Sequence, residues 1–426
     1  MCVYSCVRRT AGALLAVTAL SVANVPARAQ PQPMSLAQAE ALALARDPLA
    51  ARHRELAAGL QAESIADGEL PDPTVQVGML NFPTDTFDRA QEPMTQLQVA
   101  VRQAFPPGDS LAIQSRHRVA LAEAERARAE ARARMVRRAV REAWMEVWYW
   151  REAERVVEDS RALFRQLVEI TARQYAAGRY NQQDVVRAEL ELSALEDRLT
   201  EIQTRQDTAR AELDKWIGPA AGGPLAADVT GLPDVQARNA IEAALLSHPA
   251  LRAESAVVDA QRQRVALARA AYKPGFSVGV AYGARSGYNP GGDERPNFAS
   301  ATLGFSLPLF RDKRQDQRLA AAQRRVAAAM RNRDERLLQL RRQLSADYAE
   351  WQRLGERLAL YGEQLLPHAR RNAETSLSAY QNDRTDFTTL MRARIAELDT
   401  RLRYQRLRAD RAKARAHLLY LSGEPK

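Results

Sequence analysis

Cysteine is almost absent from the 426-residue chain, and the two that occur, Cys2 and Cys6, stand at its start. Residues 1–29 have the pattern of a secretory signal peptide: two arginines, a short apolar run and the small-x-small sequence Ala27-Arg28-Ala29. The exported chain, beginning at Gln30, would hold no cysteine. This excludes a disulfide-stapled fold.

A transmembrane helix is not expected either. The apolar run of residues 11–22 is well short of the roughly 20 residues that such a helix requires. The net charge is +10, and removal of the signal peptide with its three arginines lowers it to +7. Because arginine and glutamate alternate along the helices rather than forming one basic patch, we expect no nucleic-acid partner.

Patterns of enzyme chemistry are missing from the chain. No nucleophile-base pair, phosphate-binding loop or metal-ligand spacing occurs, and the five histidines are scattered singly. Most carboxylates fall where an arginine three or four residues away can pair with them on a helix surface. We therefore expect no enzyme, no cofactor and no metal site.

The chain repeats itself once. Five landmarks of the first half recur in order in the second half, three of them 201 positions later and two 205 positions later. They pair Pro48 with Pro249, Pro73 with Pro274, Pro107 with Pro308, Tyr175 with Tyr380 and Gly218 with Gly423. This predicts an internal twofold repeat, with about four extra residues in the helical part of the second copy.

The repeat divides the exported chain into three parts: a first repeat, residues 30–218, a linker rich in Gly, Pro and Ala, residues 219–234, and a second repeat, residues 235–426. Each repeat is predicted to contain short helices, two strands, a long helix and a return helix. The predicted strands cover about residues 74–80, 95–104, 276–284 and 298–307, the long helices 111–176 and 312–380, and the return helices 182–217 and 386–421.

The four strands share one pattern, in which large apolar residues alternate with small or polar ones. In the third strand, for example, Phe276, Val278, Val280 and Tyr282 alternate with Ser, Gly and Ala. This period of two places every large apolar side chain on one face. Two interpretations are compatible with it, a soluble sheet over a core and a sector of a membrane barrel.

We favour the barrel, because the connections 81–94 and 284–297 are long and polar like the outer loops of such barrels. Four strands cannot close a barrel, and lipid does not tolerate open edges. Since bacterial barrels begin at about eight strands, two or more subunits are required.

The predicted helices are too long for a compact globular domain. Residues 111–176 contain neither proline nor glycine and would form a rod of roughly 100 Å. The second long helix is similar, although Pro367 is expected to kink it. The return helices carry apolar residues at alternating spacings of four and three, which is typical of a coiled-coil seam.

Taken together, these features resemble the TolC family of outer-membrane efflux channels. The matching pieces include "ARDPLAAR" and "SHPALRAE", "LPDPTVQVG" and "YKPGFSVGV", "AFPPGD" and "LPLFRD", and "LDKWIG" and "LYLSG". The segment "EPMTQLQVAVRQAFPPGD" looks most like the branch that serves heavy-metal pumps of the resistance-nodulation-division class.

The resemblance implies a mainly helical fold with a small β part. A long helical coiled-coil barrel would continue a four-strand sector of a trimeric transmembrane β-barrel in the outer membrane. It also implies a homotrimer in outer-membrane lipid that works with a periplasmic adaptor, or membrane fusion protein, and an inner-membrane resistance-nodulation-division pump. Such a duct is passive and exports small solutes or metal ions. A periplasmic coiled-coil scaffold and the duct of a type I protein secretion system remain alternatives.

The resemblance also implies functional residues at the periplasmic tip, where the long helices turn into the return helices. For the closed aperture or gate it points to Asp184, Tyr380, Arg384, Asp383 and Asp386, and for adaptor docking to Gly178, Arg179, Asn181 and Thr385. Helix capping is an alternative role for Asp184 and the favoured one for Asp386. Which acidic residues face the pore stays open.

Overall fold

The computed structural model describes residues 33–178, 181–226 and 231–423. The predicted signal peptide lies outside them. The described chain forms nine α-helices and one antiparallel sheet of four strands, which confirms the predicted class. In order, the elements are α1 (Leu36–Arg46), α2 (Pro48–Ala66), β1 (Thr74–Leu80), β2 (Gln96–Phe105), α3 (Ser110–Ala176), α4 (Gln182–Ile217), α5 (Arg238–Leu245), α6 (Pro249–Ala270), β3 (Gly275–Arg285), β4 (Phe298–Ser306), α7 (Gln315–Leu360), α8 (Leu366–Gln381) and α9 (Phe387–Ser422).

Both halves of the chain follow the same order of elements. Two short helices lead into two strands, and a long helix and a return helix follow. The second helix of each half begins at an equivalent residue. Asp47 caps α2 by accepting the Ala50 N–H at 2.7 Å, and His248, 201 positions later, caps α6 by accepting the Ala250 N–H at 3.2 Å. Proline follows each cap, where its missing N–H costs nothing.

The four extra residues of the second half lie between strand and helix, not within the helical part as the sequence predicted. Two residues separate Pro107 from the start of α3 at Ser110, whereas six separate Pro308 from the start of α7 at Gln315. The helical runs themselves are equal. The first has 67 residues, and the second covers the same length from Gln315 to Gln381.

The second long helix is interrupted where proline disfavours α-helix. A π-helical turn, Tyr361–Leu365, joins α7 to α8, and Pro367 stands in the first turn of α8. Proline has no N–H to donate, and its ring clashes with the carbonyl four residues earlier, so the hydrogen bonds rearrange just ahead of it.

Helix α3 forms the spine of the helical part. Near the sheet it packs against α2 and α6, and further along against α4 and α9. Helix α7 packs against α6 and α9, and α8 packs against α9. Apolar clusters fill the spaces between these helices, with Trp144, Leu213 and Leu340 among the fully buried side chains. No helix in the described part of the chain is long and apolar enough to cross a membrane.

An ionic network joins three of these helices. His417 on α9 lies 2.8 Å from the Glu142 carboxylate of α3 and 3.7 Å from the Asp347 carboxylate of α7. The carboxylates of Asp347 and Glu142 raise the pKa of His417 to about 9, although its burial acts in the opposite direction. The network therefore holds a protonated histidine at neutral pH.

This network predicts a pH dependence of stability. Because the pKa of His417 is higher in the folded chain than the ordinary value of 6.5, its contribution is complete below pH 6.5 and is lost as the pH rises toward 9. We expect His417→Gln to lower the unfolding free energy by about 1–3 kcal/mol at pH 6 and by much less at pH 9. Thermal unfolding across this range would measure it. The exposed His368→Gln is the control and should keep the wild-type pH profile.

Candidate functional site

Both long helical runs end in a residue with a left-handed backbone. Gly178 follows α3 with φ 72°, and Asp383 follows α8 with φ 56°. The Asp383 N–H donates to Tyr380 O at 3.1 Å, and the Arg384 N–H donates to Ala379 O at 2.8 Å. This is a Schellman motif. Glycine adopts the conformation freely, and aspartate is among the few other residues that tolerate it. At the spacing of 205 positions Asp383 corresponds to Gly178, and it takes the same backbone conformation.

The return helices also begin at equivalent residues. Asn181 is the N-cap residue of α4 and Asp386, 205 positions later, is that of α9. The Asp386 carboxylate accepts the Thr389 N–H at 2.7 Å and the Thr389 hydroxyl at 3.1 Å. These hydrogen bonds, chiefly the one from the Thr389 N–H, lower the pKa of Asp386. Asp386 is therefore a charged helix cap.

The first turn of α4 carries a carboxylate in a different environment. Asp184 is half-buried and forms no ion pair with a described residue. Burial and, next, the negative charge of Asp386 raise the pKa of Asp184, while Arg187 opposes them. The Arg187 guanidinium donates to the Thr388 hydroxyl at 2.8 Å and so ties α4 to α9. The tip, residues 176–187 and 380–390 where described, therefore brings two acids together beside one bond between the helices.

Tyr380 belongs to the interior of this tip. Its residue is 1% exposed, and its ring meets the Phe387 ring edge-on with 5.6 Å between centroids. Both rings join the apolar cluster that fills the end of the helices, together with Leu390 and Met391. The ring of Tyr380 thus packs the tip from within.

The remaining predicted tip residues lie in the two turns. Arg384 and Asn181 are exposed, and Thr385 is half-buried. Gly178 is exposed, and no atom of the described residues lies near the position of a Cβ there. Arg179 lies outside the described residues. The sequence does not indicate Arg187, Thr388 or Phe387 as site residues. An aromatic residue directly after the N-cap aspartate could have indicated Phe387, whereas a bond between distant helices leaves no pattern in the sequence.

The second part of the candidate site is the sheet. Its strands pair in the order β1-β2-β3-β4, and the register aligns Val75, Val101 and Val280 in one row and Val77, Val99 and Tyr282 in the next. Large apolar side chains on this face are between 40% and 66% exposed: Val75, Val77, Met79, Leu97, Val99, Val101, Phe276, Val278, Val280, Tyr282, Leu303 and Phe305. No described part of the chain covers this apolar sheet face.

The opposite face of the sheet carries small and polar side chains. Arg102 donates to the Ser277 hydroxyl at 2.9 Å across β2 and β3. Two glycines of this face leave no room for a side chain, since a Cβ at Gly304 would lie 2.9 Å from the Ser277 hydroxyl and one at Gly283 would overlap the Gln96 amide. The sheet thus separates a lipid-compatible face from a polar one, as in transmembrane barrels.

Comparison with known proteins agrees with this arrangement. Residues 240–424 match the family model described as outer membrane efflux protein. The resemblance to the TolC family is thereby confirmed. A search of curated proteins by sequence gave no match. The predicted location, the outer membrane, is the one that the family description names.

Solved structures of outer-membrane channels share the fold over about nine-tenths of this chain. The outer-membrane channel OprN is similar with a TM-score of 0.76 and 18% identity, over 91% of this chain and 90% of that one. The outer membrane protein VceC from Vibrio cholerae is similar with a TM-score of 0.74 and 17% identity, over 91% of this chain and 96% of that one. CusC, whose structures concern folding and transmembrane channel formation, is similar with a TM-score of 0.77 and 14% identity, over 92% of each chain.

The cap at Asp386 can be tested apart from its charge. Asp386→Ala removes the acceptor of the Thr389 N–H, so we expect amide exchange in the first turn of α9 to become about five-fold faster. Asp386→Asn keeps a good cap without the charge and should leave exchange near the wild-type rate. Hydrogen exchange measured on peptides covering residues 386–391 distinguishes them. Equal acceleration in both variants would show that charge, not capping, stabilises this turn.

Proposed function

We propose that this protein is the outer-membrane channel of a tripartite efflux system, a passive duct fed by an inner-membrane pump through a periplasmic adaptor. The observation that carries the proposal is the uncovered apolar sheet face standing at one end of helices about 100 Å long. A periplasmic scaffold would expose this face to water, which the hydrophobic effect opposes. A channel places it in lipid.

The duct is proposed to be a homotrimer. In the described sheet, β1 and β4 each have one edge without a partner strand, and such edges are not tolerated in lipid. Pairing β4 of one copy with β1 of the next satisfies both edges with a single contact. Three copies give twelve strands, the number that the TolC family resemblance implies, and the small polar face then lines the lumen.

The tip supplies a gate in this proposal. The carboxylate of Asp184 is half-buried and has no ion-pair partner among the described residues of its own chain, so we assign its partner to a neighbouring copy. Asp386, whose charge acts on Asp184, lies in the second turn, and we assign Arg384 and Asp383 of the same turn to the gate with it. Rotation of α4 and α9 away from each other, with loss of the Arg187 to Thr388 bond, would open the aperture.

The cargo is proposed to be small solutes or metal ions. Support comes from the segment around β2, "EPMTQLQVAVRQAFPPGD", which resembles the branch serving heavy-metal pumps. The pump of the resistance-nodulation-division class and the adaptor are part of the same proposal. Loss of metal tolerance on deletion of the gene, without loss of any secreted protein, would distinguish this cargo from that of a type I secretion duct.

Charge placed on the apolar sheet face tests the membrane assignment. Val280→Lys puts an ammonium group on the face proposed to meet lipid, which costs about 2–4 kcal/mol near the bilayer midplane. We expect a marked loss of protein from the outer-membrane fraction. Ala281→Lys, the next residue in the strand and on the opposite face, is the matched control and should assemble far better. Soluble recovery of the wild-type protein without detergent would reject the channel.

Removal of the Asp184 carboxylate tests the gate. If the contact of this group with a neighbouring copy stabilises the closed channel by about 1 kcal/mol, Asp184→Ala raises the ratio of open to closed channels about five-fold. Single-channel recording in planar bilayers measures this ratio and the conductance. Glu189→Ala, an exposed acid further along α4, should behave like the wild type. Unchanged conductance and opening in Asp184→Ala would remove Asp184 from the gate.

A further inference from the structure

The strand-to-helix junctions of the two halves differ in length and chemistry. The first, between Pro107 and α3, consists only of Gly108 and Asp109. The second has the six residues 309–314, "LFRDKR", which contain the four extra residues of this half. The insertion is apolar at its beginning and strongly basic at its end. The structure shows what it builds.

A cavity of about 230 Å³ lies against this second junction. Three basic residues from two parts of the chain line it, Lys273 before β3 and Arg314 and Arg318 at the start of α7. None of the three side chains forms an ion pair or hydrogen bond with a described residue. Three uncompensated cations around one cavity favour an anionic group, and guanidinium groups are well suited to phosphate.

The same cavity has an apolar wall that is turned to the outside. Leu309 is 74% exposed and Phe310 is 83% exposed, and both line the cavity. Leu307, 66% exposed, connects this wall to the apolar sheet face directly above it. An exposed aromatic residue and leucines beside a basic cluster, at the end of a membrane strand, are typical of the level at which lipid headgroups meet acyl chains.

A buried amide adds an independent observation. Gln315 lines the cavity and is 8% exposed, yet its Oε1 has no hydrogen-bond partner among the described residues. Buried acceptors are nearly always paired, because leaving one unpaired costs about 1–3 kcal/mol. A headgroup with a hydroxyl or ammonium donor beside its phosphate, such as phosphatidylglycerol or phosphatidylethanolamine, offers a partner.

The first half of the chain holds no counterpart. Lys273 corresponds to Asp72 at the spacing of 201 positions, and the first junction contains neither a basic residue nor a leucine or aromatic residue. A cavity of this chemistry is therefore a feature of the second half alone. Each copy of the chain carries one site of this kind.

We propose that this cavity binds the headgroup of a phospholipid of the inner leaflet of the outer membrane, with the phosphate between Lys273, Arg314 and Arg318 and the acyl chains over Leu309 and Phe310. The proposal rests on the proposed function, since it requires the apolar sheet face to stand in lipid. The bound lipid would fix the height of the strand-to-helix junction at the membrane surface.

Native mass spectrometry of the purified full-length protein, with stepwise addition of phosphatidylglycerol, tests this site. Each basic residue near a headgroup contributes about five-fold in affinity, so Arg314→Gln combined with Arg318→Gln should weaken the tightest binding about 25-fold. The matched control combines Arg324→Gln with Arg325→Gln, which removes the same charge further along α7 and outside the cavity. It should change affinity less than two-fold. If the first pair of substitutions prevents assembly, Lys273→Gln alone should weaken binding about five-fold.

The contribution of the buried amide has its own readout. Gln315→Met should weaken the binding of phosphatidylglycerol and phosphatidylethanolamine. It should leave the binding of phosphatidylcholine unchanged, because that headgroup has no hydrogen-bond donor. Full displacement of phosphatidylglycerol by millimolar inorganic phosphate would show a site for free phosphate and overturn the lipid assignment. Equal affinities for wild type and the Arg314 and Arg318 variant, in protein that still forms channels, would reject the site and keep the channel. Wild-type protein that does not float with vesicles would reject both.

Discussion

The open edges of the sheet are the constraint on which the rest of the structure depends. A strand at an edge presents unpaired N–H and C=O groups, and in lipid no water can satisfy them. Here both edges belong to strands with exposed apolar side chains. The face that suits lipid and the edges that do not are therefore parts of one sheet. A single chain cannot resolve this conflict, whereas a ring of identical chains resolves it at every edge. In the proposed trimer, the helices below would form a ring of the same symmetry.

The sequence predicted the parts of this fold that depend on local periodicity. Alternation of residues such as Phe276, Val278 and Val280 specifies one apolar face, because side chains in a strand point to opposite sides in turn. The absence of glycine and proline between Leu111 and Ala176 specifies an unbroken helix. The spacing of landmarks revealed four extra residues, but the prediction put them in the helix. Pro308 and Tyr380 enclose both the junction and the helix, so their spacing does not tell which of the two is longer.

The tip was less predictable, because its chemistry depends on backbone conformation and on distant helices. An aspartate at position 383 looks like a lost glycine in the sequence, whereas the structure gives it the same left-handed backbone as Gly178. Tyr380 was selected by resemblance as a gate residue, and the structure buries its ring against Phe387. Its role in gating, like that of Asp184, stays a prediction. The bond from Arg187 to Thr388 joins residues 201 positions apart, and only the packed helices bring them together.

The equal lengths of the two helical hairpins have a further consequence. Each half descends through 67 residues and returns through 36, and the extra residues of the second half are confined to the junction. Two hairpins per chain therefore end at the same level. Both long runs end in a residue with a left-handed backbone, but the residue is an uncharged glycine in one and a charged aspartate in the other. In a trimer, a binding partner that senses only shape would find six equivalent positions. A partner that recognises charge would find three. The proposed trimer therefore offers either six or three binding positions, depending on which property the partner recognises.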